Sequence, residues 1–349
     1  MFDFPNSPTV GQQVIEPNGA VVQWDGVKWA NVANPNVASP ELNNVGRNFV
    51  HNSLFTINQR APGSITSGGY AVDRWVASFI GDTANFLQSA MQDGARATIG
   101  DETGTFILQN QGFVGDSGAG SYTRVIHRIE SVRRLSGKTV TVSFWALGTG
   151  GATKLGVTLG QNFGTGGSPS APVNPNGQSV NLTGVWQYYT LTFTLPSSAG
   201  MTFGTANNDY TIFSFWYSSG ATNAAFSGNV GVQSGTINLW GVQLEIGNTP
   251  TPLEKRDPML ELALCQRMFF AFNAVAIGYS VGGNNVYGMY TLPVTLRAAP
   301  TVVISGQSYF NGSAFALYQS GNRSIAVQTT VTATGVASGG ALVSLSADL

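Results

Sequence analysis

The stretch Leu239–Phe270, LWGVQLEIGNTPTPLEKRDPMLELALCQRMFF, holds a strand, a turn and a helix start in one run. Leu239 to Ile246 is apolar and suited to a strand, and Gly247, Asn248, Pro250 and Pro252 then break it. Asp257 is placed to cap a helix with its carboxylate. Pro258 suits the first helical position, whose N–H has no intrahelical partner in any case. Leu260, Leu264 and Met268 follow at four-residue spacing, with Leu262, Cys265 and Phe269 on a neighbouring stripe. So wide an apolar surface needs cover. The helix, expected over residues 256–272, is therefore predicted to pack between two β-domains or along an oligomer axis, with Leu260, Leu264 and Met268 at the contact.

Upstream of this junction the pattern is β throughout. In Thr139–Trp145, Val140, Val142 and Phe144 share one face. In Trp186–Leu195, Tyr189, Leu191, Phe193 and Leu195 oppose Trp186, Tyr188, Thr190, Thr192 and Thr194. In Thr211–Tyr217, Phe213, Phe215 and Tyr217 oppose Ile212, Ser214 and Trp216. Period-two alternation of this kind marks half-buried antiparallel strands, and many of them between Gly-rich turns predict a jelly-roll sandwich. The alternation slips phase near Leu239–Trp240, which burial of both faces or a bulge at Gly241 explains. Gln161 to Gly177 is Gly, Pro, Ser and Asn with almost no apolar content, a loop long enough to be functional or disordered. After the helix, β-patterning resumes, with strands expected at Val286–Leu296, Thr301–Ser305, Ser324–Thr332 and Ala341–Ala347.

Residues 1–40 read as a separate small β module. Gln12–Glu16, Ala20–Trp24 and Val27–Val32 are short strands, with Pro17-Asn18-Gly19 and Asp25-Gly26 as hairpin turns. Trp24 and Trp29 are expected to pack together as its core. A module this small has little stability alone, so docking onto another protein is expected, or else a hairpin folded back on the next domain. Asn31 to Asn44 is a linker.

Composition narrows the function. Of 349 residues only 9% are charged, against roughly a quarter in an ordinary domain, and the net charge is −1. No Lys/Arg cluster exists to displace counterions from phosphates, so nucleic acid is not an expected partner. No apolar run reaches the ~18 residues that cross a bilayer, and MFDFPNSPTV lacks the basic and apolar regions of a signal peptide. Membrane insertion and secretion by the usual route are thus not expected. Cys265 is the single cysteine, so no intrachain disulfide forms. In an apolar helix it is expected to behave as a small hydrophobe.

No catalytic constellation is legible. His51 and His127 are the two histidines and lie in no metal-ligand spacing, and no G-x-S-x-G elbow occurs. Glycan cleavage would need two converging carboxylates. Asp101/Glu102 and Asp82/Asp93 are conceivable pairs, but nothing singles one out, and no β-helix repeat is present. No enzyme activity is expected, no calcium loop is readable, and no cofactor is expected. For sugar binding, aromatic faces flanked by amides and hydroxyls are the required chemistry. Trp145, Trp186 and Tyr188 form the candidate platform, with core packing the competing role for each ring. Asp73 and Arg74 are candidates for a buried ion pair or an inter-subunit contact, with Trp75 in the core. Tyr279, Tyr287, Tyr290, Tyr309 and Tyr318 could serve a distal tip.

Several of these segments resemble bacteriophage tail-fibre and related virion appendage proteins. The W-G-V-Q-L-E-x-G…T-P…L-A-L-C-Q-R phrase resembles the junction that closes a carbohydrate-binding-module-like β-sandwich there. The opening N…Q-R…Y-x-x-D-R-W (to Gly69–Trp75), the N-terminal P-N-G…W-D-G-V-K-W and L-P-V-T-L-R-A-A-P-T-V-V-I (Leu292–Ile304) resemble other parts of such proteins. Each marks scaffold, and none is catalytic. The resemblance implies an attachment module (1–40, with Trp24 and Trp29 at the contact), a jelly-roll sandwich (41–255), a connecting helix (256–272) and a C-terminal β-sandwich (273–349). It further implies a homotrimeric virion subunit, made in the host cytoplasm, which joins other virion proteins through its N-terminus and binds host-surface polysaccharide. A purely structural head fibre, decoration or neck protein is the alternative, and a glycan depolymerase a third.

Overall fold

The computed structural model describes residues 5–15, 21–24, 26–31 and 46–349. The chain divides into two compact units, Met1–Gly46 and Arg47–Leu349.

In the first unit, Gln13–Ile15 (β1), Val21–Trp24 (β2) and Trp29–Asn31 (β3) form an antiparallel sheet in that order. Trp24 and Trp29 are direct partners across β2 and β3, their ring centroids 5.7 Å apart, so the expected aromatic pair is present. The turn at 17–19, Asp25 and the linker at 32–44 lie outside the described residues.

The second unit begins with twelve strands. They are Ser64–Ile65 (β4), Gly69–Val72 (β5), Trp75–Ile80 (β6), Phe86–Ala90 (β7), Phe106–Phe113 (β8), Tyr122–Glu130 (β9), Thr139–Thr149 (β10), Lys154–Asn162 (β11), Gln178–Asn181 (β12), Gln187–Thr194 (β13), Tyr210–Ser219 (β14) and Gly235–Ile246 (β15). The order β13-β10-β15-β8-β7-β4 makes a first sheet and β12-β11-β14-β9-β6-β5 a second, with antiparallel neighbours. This is the predicted all-β sandwich. Val140, Val142 and Phe144 from the first sheet meet Phe213, Phe215 and Tyr217 from the second, all fully buried in one core with Trp75. Each such side chain contributes roughly 1.5–3 kcal/mol by leaving water. The phase slip is a bulge: Trp240 opposes Trp145 and Gln243 opposes Ser143, leaving Gly241 and Val242 against Phe144. Gly241 has φ +63°, a left-handed conformation that a side chain would strain.

Two helices occur among the described residues, where the sequence suggested one. The additional helix, Asp93–Ile99 (α1), is short, and Gly100 ends it in the left-handed conformation at φ +76°. The expected one, Pro258–Gln266 (α2), starts as predicted: the Asp257 carboxylate accepts from Met259 N–H at 2.8 Å and Pro258 holds the first turn. It ends earlier than residue 272, because from Phe269 the sequence alternates with period two and enters a strand. The buried residues within the helix are Glu261 and Cys265, whereas Met259 and Leu260 are exposed. Leu264 is partly buried, and Met268, beyond the helix end, is buried. Polar anchoring explains this choice of face. One Glu261 oxygen accepts from Asn52 N–H, and the other lies 3.2 Å from Arg256 Nη1, which also donates to Val50 O at 2.9 Å.

Phe269–Ser280 (β16), Asn285–Thr291 (β17), Thr301–Phe310 (β18), Gly312–Ser320 (β19), Ser324–Val331 (β20) and Gly335–Ser346 (β21) complete the chain. They form two three-stranded sheets, β16-β21-β18 and β17-β20-β19, around Ala274, Val343, Leu345, Phe315 and Val327. This C-terminal sandwich is tied to the larger one by directed contacts. Ala347 N–H donates to Met268 O at 2.8 Å, Arg128 Nη1 to Leu349 O at 2.6 Å, and Gln59 Nε2 to Phe269 O at 2.9 Å. Asp73 and Arg74, expected as a possible pair, part company. Asp73 pairs with Arg60 at 3.3 Å, and Arg74 donates to Arg128 O. Both sit in the turn between β5 and β6, where Arg74 takes the left-handed conformation at φ +73°.

Candidate functional site

The outer face of the first sheet gathers the predicted rings. Trp145 on β10 is the register partner of both Tyr188 on β13 and Trp240 on β15, and the Trp145 and Tyr188 rings lie 5.5 Å apart. Trp186 belongs to the same cluster, which also holds Met91, Ile107 and Trp240, with Ala95 and Ile99 of α1 and Leu253 packed against it. Gly104 lets the loop after α1 pass close over Trp240: a Cβ there would lie 2.5 Å from Met91 Sδ and 3.4 Å from the indole. The result is a small second core. Trp186 and Trp240 are buried in it, Trp145 is partly buried, and Tyr188 keeps 44% of its surface open.

The outer face of the second sheet has a different character. On β9, Val125, His127 and Ile129 turn inward, which puts Arg124 and Arg128 outside; on β14, Phe213 and Phe215 turn inward, which puts Ile212, Ser214 and Trp216 outside. Cross-strand register sets Gly156 of β11, Trp216 and Arg124 in one row, Thr158, Ser214 and Ile126 in the next, and Gly160, Ile212 and Arg128 in a third. Two loops wall this floor. The predicted long loop folds back on β11, where Val173 and Gln161 exchange backbone hydrogen bonds of 2.7 and 2.9 Å. The 220–230 segment crosses over Thr158, whose hydroxyl donates to Phe226 O. Gly156 permits that crossing, since a Cβ there would lie 2.0 Å from Ser227 O.

Between these walls lies a cavity of about 220 Å³ lined by Arg124, Thr158, Asn174, Tyr210, Ser214, Trp216 and Phe226, among others. The Arg124 guanidinium lies 4.8 Å from the Trp216 ring centroid and 5.2 Å from that of Tyr122, and Tyr122 and Phe226 flank the indole at 5.7 and 6.4 Å. Trp216 is only 2% exposed, so it is the floor of the cleft and the other rings and the guanidinium are its accessible surface. Burial lowers the Arg124 pKa from its ordinary value, yet an arginine stays cationic at neutral pH. Neither Arg124 Nε nor Trp216 Nε1 has a hydrogen-bond acceptor among the described residues. Such buried, unpaired donors are uncommon in folded proteins and cost stability. The set combines ring faces, a fixed fork of donors, amides and hydroxyls.

Other candidates have structural partners. Asp82 accepts from Asp116 N–H at 2.7 Å and from the Thr123 hydroxyl at 2.8 Å, Asp101 pairs with Lys255 at 2.5 Å, and Asp93 pairs with Arg96. His51 N–H donates to His127 Nε2 at 3.1 Å, and burial, reinforced by Arg74, holds both imidazoles well below their ordinary pKa. Cys265 is buried, which pushes its thiol pKa up. Among the described residues no cluster of three or more His, Cys, Asp or Glu could hold a metal ion. In the C-terminal sandwich, Tyr287 and Tyr318 meet edge to face at 4.9 Å, whereas Tyr290 is tied by its hydroxyl to Val275 O at 2.7 Å.

One family match falls on the larger sandwich. A family described as "Carbohydrate binding domain" matches residues 125–209, which run from within β9 to the residue before β14. Over that stretch the larger sandwich is similar to a carbohydrate-binding module. Among solved structures, the chain is similar to one titled "CBM4 structure and function", at 20% identity over 57% of this chain and 99% of that one, with a TM-score of 0.32. It is also similar to the CBM22-2 xylan-binding domain of Paenibacillus barcinonensis Xyn10C, at 14% identity over 51% of this chain and 94% of that one, TM-score 0.31. A third is the enzymatically active domain of bacteriophage CBA120 tailspike protein 4, at 13% identity over 57% of this chain but 21% of that one, TM-score 0.32. Among curated proteins, none matches the chain.

Proposed function

We propose that the chain is a non-catalytic glycan-binding protein whose binding site is the cleft on the outer face of β11, β14 and β9. The observation that carries this is the unpaired pair of donors, Arg124 Nε and Trp216 Nε1, buried beside a cavity of about 220 Å³. A sugar ring matches such a site, because its hydroxyls accept from the donors and its C–H faces rest on Tyr122, Tyr210 or Phe226. The carbohydrate-binding family match, which covers β11 and the long loop, supports the same reading. The phage-like motifs support the wider setting. In it the chain is a homotrimeric virion appendage subunit, fixed to other virion proteins through the β1–β3 unit with Trp24 and Trp29, presenting the cleft to host-surface polysaccharide.

Isothermal titration of the full chain with neutral oligosaccharides, alongside Arg124→Ala and Tyr188→Ala, tests the site. Binding that is lost in R124A and kept in Y188A is expected. Loss in Y188A alone would move the site to the first sheet. No binding to any glycan, or to host cells before and after their polysaccharide is stripped, would leave the structural virion role.

A further inference from the structure

Arg124 is a cation in a cleft that holds no acid. The cavity over β11, β14 and β9 is lined by Arg124, Gln161, Asn174, Ser214, Trp216 and Phe226 among others, and by no Asp or Glu. Among the described residues, no Asp or Glu side chain forms an ion pair with Arg124. Four residues along, Arg128 lies on the same face of β9 and adds a second positive charge. Glu130 on that face pairs with Arg267 instead.

A guanidinium drawn partly out of water is costly until a counter-charge meets it. Two other arginines show how the chain meets that cost. Arg256 sits between Glu254 at 3.4 Å and Glu261 at 3.2 Å, and Arg60 between Asp73 at 3.3 Å and Asp348. Arg74 also lacks an acid, but it is enclosed by protein and donates to Arg128 O. Arg124 alone of these four lines this cavity, with its Nε unpaired.

The same cleft calls for hydroxyl groups. Gln161 is only 1% exposed, and its Nε2 donates to Pro196 O at 2.9 Å. Its Oε1 has no donor among the described residues. A bare anion gains nothing from that oxygen, whereas a sugar hydroxyl donates to it. Resting on the reading that this cleft binds glycan, we propose that its ligand is an acidic sugar whose carboxylate pairs with Arg124. A carboxylate takes two parallel donors from one edge of a guanidinium, which a neutral hydroxyl cannot do. The remaining hydroxyls meet Gln161 Oε1 and Trp216 Nε1.

Titration calorimetry of the full chain with oligomers of alginate, polygalacturonate and hyaluronan, each before and after reduction of its carboxyl groups, tests this. At least one acidic form is expected to bind about tenfold or more tightly than its reduced counterpart, and to weaken as salt is raised. Arg124→Gln removes the charge and keeps an amide, and is expected to abolish that preference. Should R124Q fail to fold, the Nε–H resonance of Arg124 in the wild-type chain is expected to shift on adding glucuronate and not on adding glucose. Equal or tighter binding of the reduced forms would overturn the acid and leave the cleft as a neutral-sugar site. A preference for the acidic form that survives in folded R124Q would overturn the pairing with Arg124. Binding of neither form, with no shift in glucuronate, would overturn the acid, and if neutral oligosaccharides also fail to bind, the cleft falls with it.

Discussion

Arg124 and Trp216 are direct register partners on β9 and β14, and the guanidinium lies 4.8 Å from the indole centroid. The contact fixes the arginine side chain of the cleft floor in a plane, so that its donors are oriented before any ligand arrives. Ordering a free arginine side chain on binding would otherwise cost about 0.5–1.5 kcal/mol. Hydrogen bonds from a charged donor contribute about 1.5–3 kcal/mol each. Arg124→Ala is therefore expected to weaken glycan binding about ten- to a hundredfold by titration calorimetry. Arg124→Lys keeps the charge but loses the planar fork, and is expected to restore only part of the affinity. Trp216→Phe keeps a ring and removes Nε1, so its loss of affinity should be smaller than that of R124A.

Gly156 decides whether the cleft has a wall. A methyl group there would meet Ser227 O at 2.0 Å and Val230 Cγ2 at 2.8 Å, both on the segment that crosses β11. Backbone cannot yield as a flexible side chain does, so Gly156→Ala is expected to push the 220–230 segment off the sheet. The cost of such overpacking is about 1–3 kcal/mol. Denaturant unfolding should show that loss, and hydrogen exchange should show the amides of Ser227 and Asn229 exchanging faster than in wild type. Those two, with hydrogen bonds to Asn223 O at 2.8 Å and Ala224 O at 2.7 Å, report on the segment directly.

What can be read in the sequence and what cannot follows from the range over which each signal acts. Val140, Val142 and Phe144 announce their strand because alternation is local, and Gly241 announces a bulge because the alternation slips beside it. α1 gives no such signal. It is about two turns of helix with Gly94 inside it, seated by Met91 and Trp240 rather than by its own periodicity. β16 is hidden because Phe269 falls on the apolar stripe of α2, and β19 because two register shifts interrupt its alternation. The cleft is the least legible part. Trp216 reads locally as the ring opposite three core aromatics, and only folding sets Arg124, Asn174 and Phe226 around it. The motif residues acquire a plain physical role. Asn48 N–H donates to Glu254 at 2.6 Å and Trp75 Nε1 donates to Asn52 O at 3.1 Å, which close the larger sandwich, and Arg297 N–H donates to Arg267 O at 2.9 Å, which ties the C-terminal sandwich to the end of α2.

The buried histidine pair sets an acid limit on stability. Both folded-state pKa values are depressed below 6.5, by burial first and then by the Arg74 charge. A base whose folded pKa is lowered stays neutral in the native state while the unfolded chain takes up the proton. Its contribution is complete above the unfolded value and is lost as pH falls below about 6.5. The thermal midpoint is thus expected to fall between pH 7 and pH 5. His127→Gln offers His51 N–H a neutral acceptor, and should flatten that slope while lowering stability at pH 7. A slope identical to wild type would assign the acid sensitivity to other groups.

The contrast between Glu261 and Leu260 tests what holds α2 in place. By spacing alone, Leu260 should be buried, yet it is exposed, while its neighbour's carboxylate is buried against Asn52 N–H and Arg256. Removing one partner of a buried pair leaves the other charge without compensation, at a cost of about 3–5 kcal/mol. Arg256 keeps Glu254 at 3.4 Å and the Val50 carbonyl, so Glu261→Ala is expected toward the lower end of that range. Leu260→Ala, an exposed change that leaves a good helix former, should stay within about 0.5 kcal/mol in the isolated chain. Urea unfolding of both variants at equal chain concentration separates the cases. If L260A instead proves the more damaging, and its effect grows as the chain is concentrated, the leucine face of α2 is buried by another copy, and the helix takes part in assembly as well as in joining the two sandwiches.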